Sequence, residues 1–345
     1  MASDGYRVGV LGATGLVGST ILGLLAARDF PVAELRPLAS ERSAGRELEW
    51  NGSVLSCQAL SEDSIQGLDL VLSSAGGAVS AEWTPKLVAA GATVIDNTSY
   101  WRLHDEVPLV VAEVNPEAIA GHSGIVANPN CSTMQMVVAL KPLFDEAGIE
   151  RLVISTYQAV SGTGKKAIDG LLAESRAVLD GQRPAPAVYP HQIAFNVLPQ
   201  AGSFAAGDDH TDEERKLINE TRKILGDPEI KVSATCVRVP VVTGHSEAVN
   251  VETREPLSPE RARELLAAAP GVTVVDDPAA ARYPLATEAA GRDDVLVGRI
   301  RRDPGNERAL DLFVVADNLR KGAATNAVQL AELLVERGLL LAGAA

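Results

Sequence analysis

The chain has few cysteines, no long apolar run and no surplus of positive charge, and each shortage removes a class of function. Its three cysteines, Cys57, Cys131 and Cys236, are odd in number and widely scattered. They offer neither a disulfide framework nor a Cys-rich metal site, so no metal is expected. No apolar stretch approaches the ~18 residues that a membrane span needs. Thirty-one basic residues against 45 acidic ones leave a formal charge of −14. A broad contact with nucleic acid or an anionic membrane is therefore not expected. Any anionic ligand has to be held by a few local cations. Met1 to Arg7 includes Asp4 and runs straight into an apolar strand, unlike a signal peptide. Internal repeats and strongly biased tracts are also missing. These shortages point to a soluble, cytoplasmic protein.

What is present suffices for two domains of ordinary size, with 345 residues of which 46% are hydrophobic. The stretch Asn128-Pro129-Asn130-Cys131-Ser132-Thr133 lies between an apolar run, Gly124 to Ala127, and a helical run, Thr133 to Phe144. Strand, tight turn and helix are the expectation, with Asn130 or Cys131 near the helix N-cap. A thiol at the positive end of a helix dipole is favoured as the thiolate. Backbone N–H groups there could also hold a developing oxyanion. A free cysteine is otherwise most often a small buried hydrophobe.

Tyr6 to Leu11 reads as a strand that runs into Gly12-Ala13-Thr14-Gly15-Leu16-Val17-Gly18 and then a helix of about 19–28. That context turns a glycine pattern into a dinucleotide fingerprint. Gly12 permits the turn, Gly15 admits a pyrophosphate, and Gly18 lets helix pack on strand. A second strand, about 32–38, leads into Ser40-Glu41-Arg42. Ser40 and a two-pronged Arg42 suit a 2′-phosphate and favour NADP, while Glu41 suits a ribose hydroxyl. Ala75 and Gly76 follow a third strand, 69–72, where small residues allow close approach to a cofactor. A helix over 79–90, strands over 92–96, 109–111 and 124–127, and Arg102 as a candidate anion clamp complete the first half. The alternation implies a mostly parallel sheet whose strand ends share one edge.

In the second half a strand, 151–160, carries Gln158 and ends at Ser161-Gly162, which could touch the nicotinamide end of a cofactor. Gln158 can orient a substrate or a catalytic partner. A loop rich in proline spans 181–190. Thr211 and Glu214 have capping-box spacing at the head of a helix to about 225. Glu213 and Lys216 share one face and could match an amine and an anion. A strand over 231–242 carries Arg238, and the next, 245–253, opens on His245 beside a glycine, where an exposed imidazole is plausible. Strands over 294–301 and 309–316 run into Asn318, and an amphipathic helix, 326–340, closes the chain.

Together the motifs GATGLVG (12–18), ASERSAG (39–45), NPNCST (128–133), QAVSGTGK (158–165), EERK (213–216), RVPVVTGHS (238–246) and DNLRKGAATNA (317–327) resemble the bacterial aspartate-semialdehyde dehydrogenase family along nearly the whole chain. The resemblance implies an α/β chain with a Rossmann-type NADP-binding domain, 1–130, onto which a C-terminal helix of about 321–345 packs. It also implies an α+β catalytic and dimerisation domain with a mixed sheet, 131–320. By resemblance, Cys131 is the nucleophile, Gln158 orients the substrate, Arg238 holds its carboxylate and His245 is the acid/base. Glu213 would hold the amine, Arg102 and Lys216 the phosphate, with Asn130 beside them. Gly12, Thr14, Gly15, Leu16, Val17, Ser40, Arg42, Ala75, Gly76, Ser161, Gly162 and Asn318 would contact NADP(H). The implied reaction is NADPH-dependent reductive dephosphorylation of aspartyl phosphate through a thioester, in a homodimer or homotetramer of the aspartate-family amino-acid pathway. Asp208-Asp209-His210 departs from the family, whose members often carry an aromatic there. The nearest rival is an N-acetyl-glutamyl-phosphate reductase, whose substrate lacks a free amine; another is a non-catalytic NADP-binding paralogue.

Overall fold

The computed structural model describes residues 5–341, which divide into two compact units. The first consists of the described residues of Met1–Pro129 and Ala323–Ala345, the second of Asn130–Gly322.

The first unit is built on strands β1 (Tyr6–Leu11), β2 (Val32–Ala39), β3 (Glu47–Trp50), β4 (Ser53–Ser56), β5 (Gln58–Ala59), β6 (Leu70–Ser73), β7 (Thr93–Asp96) and β8 (Ile125–Ala127). Six form a parallel sheet of order β5-β2-β1-β6-β7-β8. Its central strands are short apolar runs because helices cover both faces; every residue of β6 and β7 is buried. Helix α1 (Leu16–Ala27) packs on one face together with the C-terminal helix, Asn326–Glu336. Helix α2 (Gly77–Ala89) packs on the other, with Leu87 among Leu11, Leu38 and Val94. The sheet order changes direction at β1, which has β2 on one side and β6 on the other. A ligand crevice is expected outside that point.

Three details differ from the sequence reading. Residues 109–111 are not a strand: Leu109 makes one bridge to Ala127, and the Asn115 side chain takes Val111 N–H and donates to Leu109 C=O. The closing helix ends at Glu336 rather than near 340. The hairpin β3–β4, turning on Asn51 and Gly52 with positive φ at both, was not foreseen.

The second unit comprises α3 (Cys131–Ala147), β9 (Ile149–Gln158), α4 (Lys165–Leu179), α5 (Asp212–Leu225), β10 (Lys231–Arg238), β11 (His245–Thr253), α6 (Pro259–Ala268), β12 (Val272–Val274), α7 (Ala286–Ala289), β13 (Val295–Asp303) and β14 (Asn306–Ala316). Its sheet runs β10-β9-β11-β14-β13-β12 and is mixed, with β10–β9 and β12–β13 parallel and the rest antiparallel. Strand β11 alternates strictly between buried and half-buried residues. Its buried set, His245, Glu247, Val249, Val251 and Thr253, shares one face, which α3 packs against. Tyr157 and Phe313 belong to the alternate positions, and their rings lie 6.2 Å apart. No helix among the described residues is long and apolar enough to cross a membrane.

Candidate active site

Cys131 is the first residue of α3. Asn130 caps that helix, its Oδ1 accepting from the N–H groups of Ser132 (3.0 Å) and Thr133 (3.2 Å). This changes one expectation. Those two amides, which could have held an oxyanion, are already satisfied, and Met134 N–H closes on the Asn130 carbonyl. The thiol keeps the dipole of a 17-residue helix. It is half-buried, whereas Cys57 and Cys236 are buried. Burial pushes the Cys236 thiol far up and raises that of Cys57, so neither is poised to react. Cys131 is packed closely: a Cβ on Gly322 would lie 2.9 Å from Cys131 Cβ.

Three buried side chains organise the residues behind the thiol. The Asn130 amide donates to Glu213 Oε1 at 2.7 Å. Gln158 Nε2 donates to the same oxygen at 2.9 Å and to Ser132 Oγ at 2.7 Å. Lys216 Nζ reaches Glu213 Oε2 at 3.0 Å and Asp212 at 2.6 Å. Burial opposes the charge on Glu213, but the Lys216 ammonium and the two amides outweigh it and hold its pKa at about 2. Burial likewise opposes charge on Lys216, and Glu213 and Asp212 more than offset it. With its nitrogen committed, Gln158 leaves Oε1 buried and without a partner.

His245 is fully buried, not exposed as its place beside Gly244 suggested. The N–H of Ala159 donates to Nδ1 at 3.0 Å. Nδ1 is therefore an acceptor, and the proton of the neutral ring sits on Nε2. Burial and the nearby Arg238 guanidinium depress its pKa to about 3. Arg238 donates from Nη1 to the Ala159 carbonyl at 2.8 Å. Nε of Arg238 and Nε2 of His245 are buried with no partner. A Cβ on Gly162 would meet Arg238 Nη1 at 3.2 Å and His245 Nε2 at 3.2 Å, so the turn and both side chains converge. Asn318 braces this corner, its Oδ1 accepting from Gly244 N–H and its Nδ2 donating to Ser161 Oγ. A glutamine oxygen, a guanidinium N–H and an imidazole N–H thus share the buried polar side of the unit that holds the thiol. Buried polar atoms left unpaired need an explanation, and a polar substrate supplies one.

In the first unit a cavity of about 500 Å³ lies at the carboxyl ends of β1, β2 and β6. Of the foreseen residues Gly12, Thr14, Gly15, Ser40, Arg42 and Ala75 line it. Gly12 has φ +85°, and a Cβ on Gly18 would fall 2.2 Å from the Gly12 carbonyl, so helix and turn can only meet this closely at glycine. No side chain caps α1, which leaves the amides around Leu16 and Val17 for an anion. Gly76, at φ +93°, is the N-cap of α2. Arg102, also in this unit, donates from Nε to Asn128 C=O and from Nη2 to Asn97 C=O.

The sequence matches the family models described as semialdehyde dehydrogenase, NAD binding domain, over residues 7–122, and semialdehyde dehydrogenase, dimerisation domain, over 140–321. It is 56% identical to the aspartate-semialdehyde dehydrogenase of Aquifex aeolicus over 340 residues, 97% of this chain and all of that one. The chain belongs to the aspartate-semialdehyde dehydrogenase family. Another aspartate-semialdehyde dehydrogenase, from Legionella pneumophila, is 53% identical over 97% of both chains. Among solved structures, aspartate semialdehyde dehydrogenase II of Vibrio cholerae complexed with ASA matches with a TM-score of 0.94 and 48% identity, covering 97% of this chain and 99% of that one. Aspartate semialdehyde dehydrogenase with NADP from Candida albicans matches with a TM-score of 0.74 and 27% identity, over 97% and 100%.

Membership in the aspartate-semialdehyde dehydrogenase family leaves several residues of the site unforeseen. Glu220 accepts the Asn130 N–H at 2.7 Å, and it stands seven residues after Glu213 on α5, a helical repeat that marks one face. Trp83 and Leu60 add apolar walls to the first-unit cavity. Gln135 and Glu247 are buried beneath His245; the period of two along β11 was the available signal for Glu247.

Proposed function

We propose that this chain is an aspartate-semialdehyde dehydrogenase. It converts aspartyl phosphate to aspartate semialdehyde through a thioester on Cys131, and in reverse oxidises the aldehyde with phosphate. Family membership and one observation carry this reading: Gln158, Arg238 and His245 each leave a buried polar atom unpaired, Arg238 and His245 against Gly162 and Gln158 against Ser132, the residue after the thiol at the start of α3. The Cys131 thiolate attacks the acyl phosphate, and phosphate leaves as the thioester forms. Arg238 holds the substrate carboxylate, Glu213 its ammonium group, and Lys216 and Arg102 the phosphate. Bidentate guanidinium contacts suit a protein whose overall charge repels anions. Gln158 Oε1 orients the substrate. His245 Nε2–H donates to the carbonyl oxygen as it gains charge, replacing the helix amides that Asn130 has taken. Bound NADPH supplies the hydride; Gly12, Thr14, Gly15, Ser40, Arg42 and Ala75 hold the dinucleotide in the first unit, and Ser161 and Gly162 meet its nicotinamide end.

The enzyme works as a cytoplasmic homodimer or homotetramer in the aspartate-family amino-acid pathway. The half-exposed Tyr157 face of the mixed sheet and the match to a dimerisation domain support self-association. The deciding experiment is initial-rate kinetics of phosphate-dependent aldehyde oxidation, with aspartate semialdehyde and N-acetylglutamate semialdehyde and with both cofactors. Turnover of the first aldehyde with NADP is expected. Preference for the acetylated aldehyde, or turnover of neither, overturns the reading.

A further inference from the structure

Two residues past His245, on the same face of β11, lies a carboxyl group that the chemistry above does not use. Glu247 is fully buried between Thr156 on β9 and Val314 on β14. Neither of its oxygens accepts a hydrogen bond. Gln135, on α3, is also fully buried; its Nε2 donates to the His245 carbonyl at 3.3 Å, and its Oε1 has no donor. An ionised carboxylate only accepts, so it cannot satisfy that oxygen. A carboxylic acid has one O–H, which is the donor Gln135 Oε1 lacks.

We propose that Glu247 acts as a neutral hydrogen-bond donor to Gln135 Oε1, and that Gln135 in turn holds the His245 carbonyl, so that Glu247 positions His245 for the reaction. The surroundings agree. Glu213 from α5 and Cys236 from β10 are near it, besides the neutral His245 on its own strand, and none is a cation. Burial and the negative Glu213 both resist its ionisation, and only the Gln135 amide favours it. A displaced His245 carbonyl would shift the start of β11 and with it the direction of Nε2–H.

The inference rests on the reading of His245 as the donor to substrate, but its first test needs no turnover. In difference infrared spectra of 13C-glutamate-labelled protein at mildly alkaline pH, wild type minus Glu247→Gln should show the carbonyl stretch of a protonated carboxylic acid. Its absence overturns the proposal whether or not the chain is a dehydrogenase. Kinetics follow. Glu247→Gln keeps a donor and should retain kcat, whereas Glu247→Leu should lower kcat by about tenfold or more with little change in KM, as misplacement of a catalytic group does. Gln135→Leu should match Glu247→Leu. A Gln variant as impaired as the Leu variant, or a Leu variant equal to wild type, overturns it; if the Leu variants fail to fold, the spectrum still decides.

Discussion

His245 should carry no positive charge at any pH at which the enzyme operates. Its ring is fully buried, Nδ1 accepts the Ala159 N–H, and the Arg238 guanidinium is adjacent. Protonating Nδ1 would set two donors against each other. A histidine that ordinarily titrates at 6.5 and here titrates at about 3 resists protonation by about 5 kcal/mol. Near pH 6.5 only about one ring in 3,000 would be imidazolium. The linkage has a definite sign. The unfolded chain takes up this proton below 6.5 and the folded chain does not, so acidification toward about 3 destabilises the fold, by about 2 kcal/mol already at about pH 5. The check is the Cε1 resonance of 13C-labelled histidine, assigned by its loss in His245→Gln and followed from about pH 8 to about pH 5. It should stay at its neutral position. The functional counterpart is a comparison of variants. His245→Ala should cost about 10²–10³ in kcat, the usual cost of one oxyanion donor, and His245→Gln, whose amide can place N–H near Nε2, should recover at least about tenfold of it. A resonance that titrates near its ordinary value, or a Gln variant no better than Ala, would falsify the donor-only imidazole.

Three further outcomes are expected. Cys131→Ser should lower turnover by about 10⁴ or more while NADP binding, read by fluorescence titration, is retained; near-normal turnover removes the nucleophile. Arg42→Leu should weaken NADP(H) binding by about 10–100-fold, the worth of a charge-assisted contact, and leave NAD binding almost unchanged; equal losses for both cofactors would show that Arg42 does not read the phosphate. Lys216→Met should cost about 3 kcal/mol of stability at neutral pH, because Glu213 loses its buried counter-charge. Glu213 titrates at about 2 against an ordinary 4.5, so its contribution is present above 4.5 and is lost as pH falls toward 2. In the variant the Glu213 pKa rises toward or past its ordinary value, so the loss of stability between pH 4.5 and about 2 should shrink or vanish, which urea unfolding across the acidic range would detect.

Sequence alone carried the elements that rest on local chemistry. The glycine turn at Gly12 to Gly18, the capping box of Thr211 and Glu214, and the thiol at a helix start all announce themselves within a few residues, and the structure has each. The hairpin at Asn51 and Gly52 was equally legible, since this dipeptide favours a tight turn, but its short flanking strands hid it. The direction of a polar side chain was not legible. Nothing near Asn130 says that its amide nitrogen will donate to Glu213. Nothing near His245 says that a backbone N–H from β9's far end will fix its tautomer. Both depend on partners brought together by strand order and helix packing, 86 residues apart in sequence for His245 and Ala159. Leu109 to Val111 shows the opposite error: an apolar run was read as a strand, yet Asn115 claims its backbone groups and leaves a single bridge.

Two of the buried glutamates, Glu213 and Glu247, explain why this layer needs both an ion and a neutral acid. Glu213 has an ammonium and two amides, and its charge survives burial. Glu247 has no cation and only the Gln135 amide nearby to favour its charge, neither of its oxygens accepts a hydrogen bond, and the charge on Glu213 adds to the cost of its own. In a medium of low polarity two such charges repel strongly, so one carboxyl ionises and the other does not. That division keeps a negative charge at Glu213, beside Asn130 and Gln158, where the proposed function places the substrate ammonium. A second negative charge beneath His245 would favour the imidazolium and remove the neutral donor on which the proposed chemistry depends. Neutralising Glu213 with Gln would therefore do more than lose a contact to the amine. It would make Glu247 easier to ionise, and the infrared band of its acid form should weaken at high pH in that variant before it does in wild type.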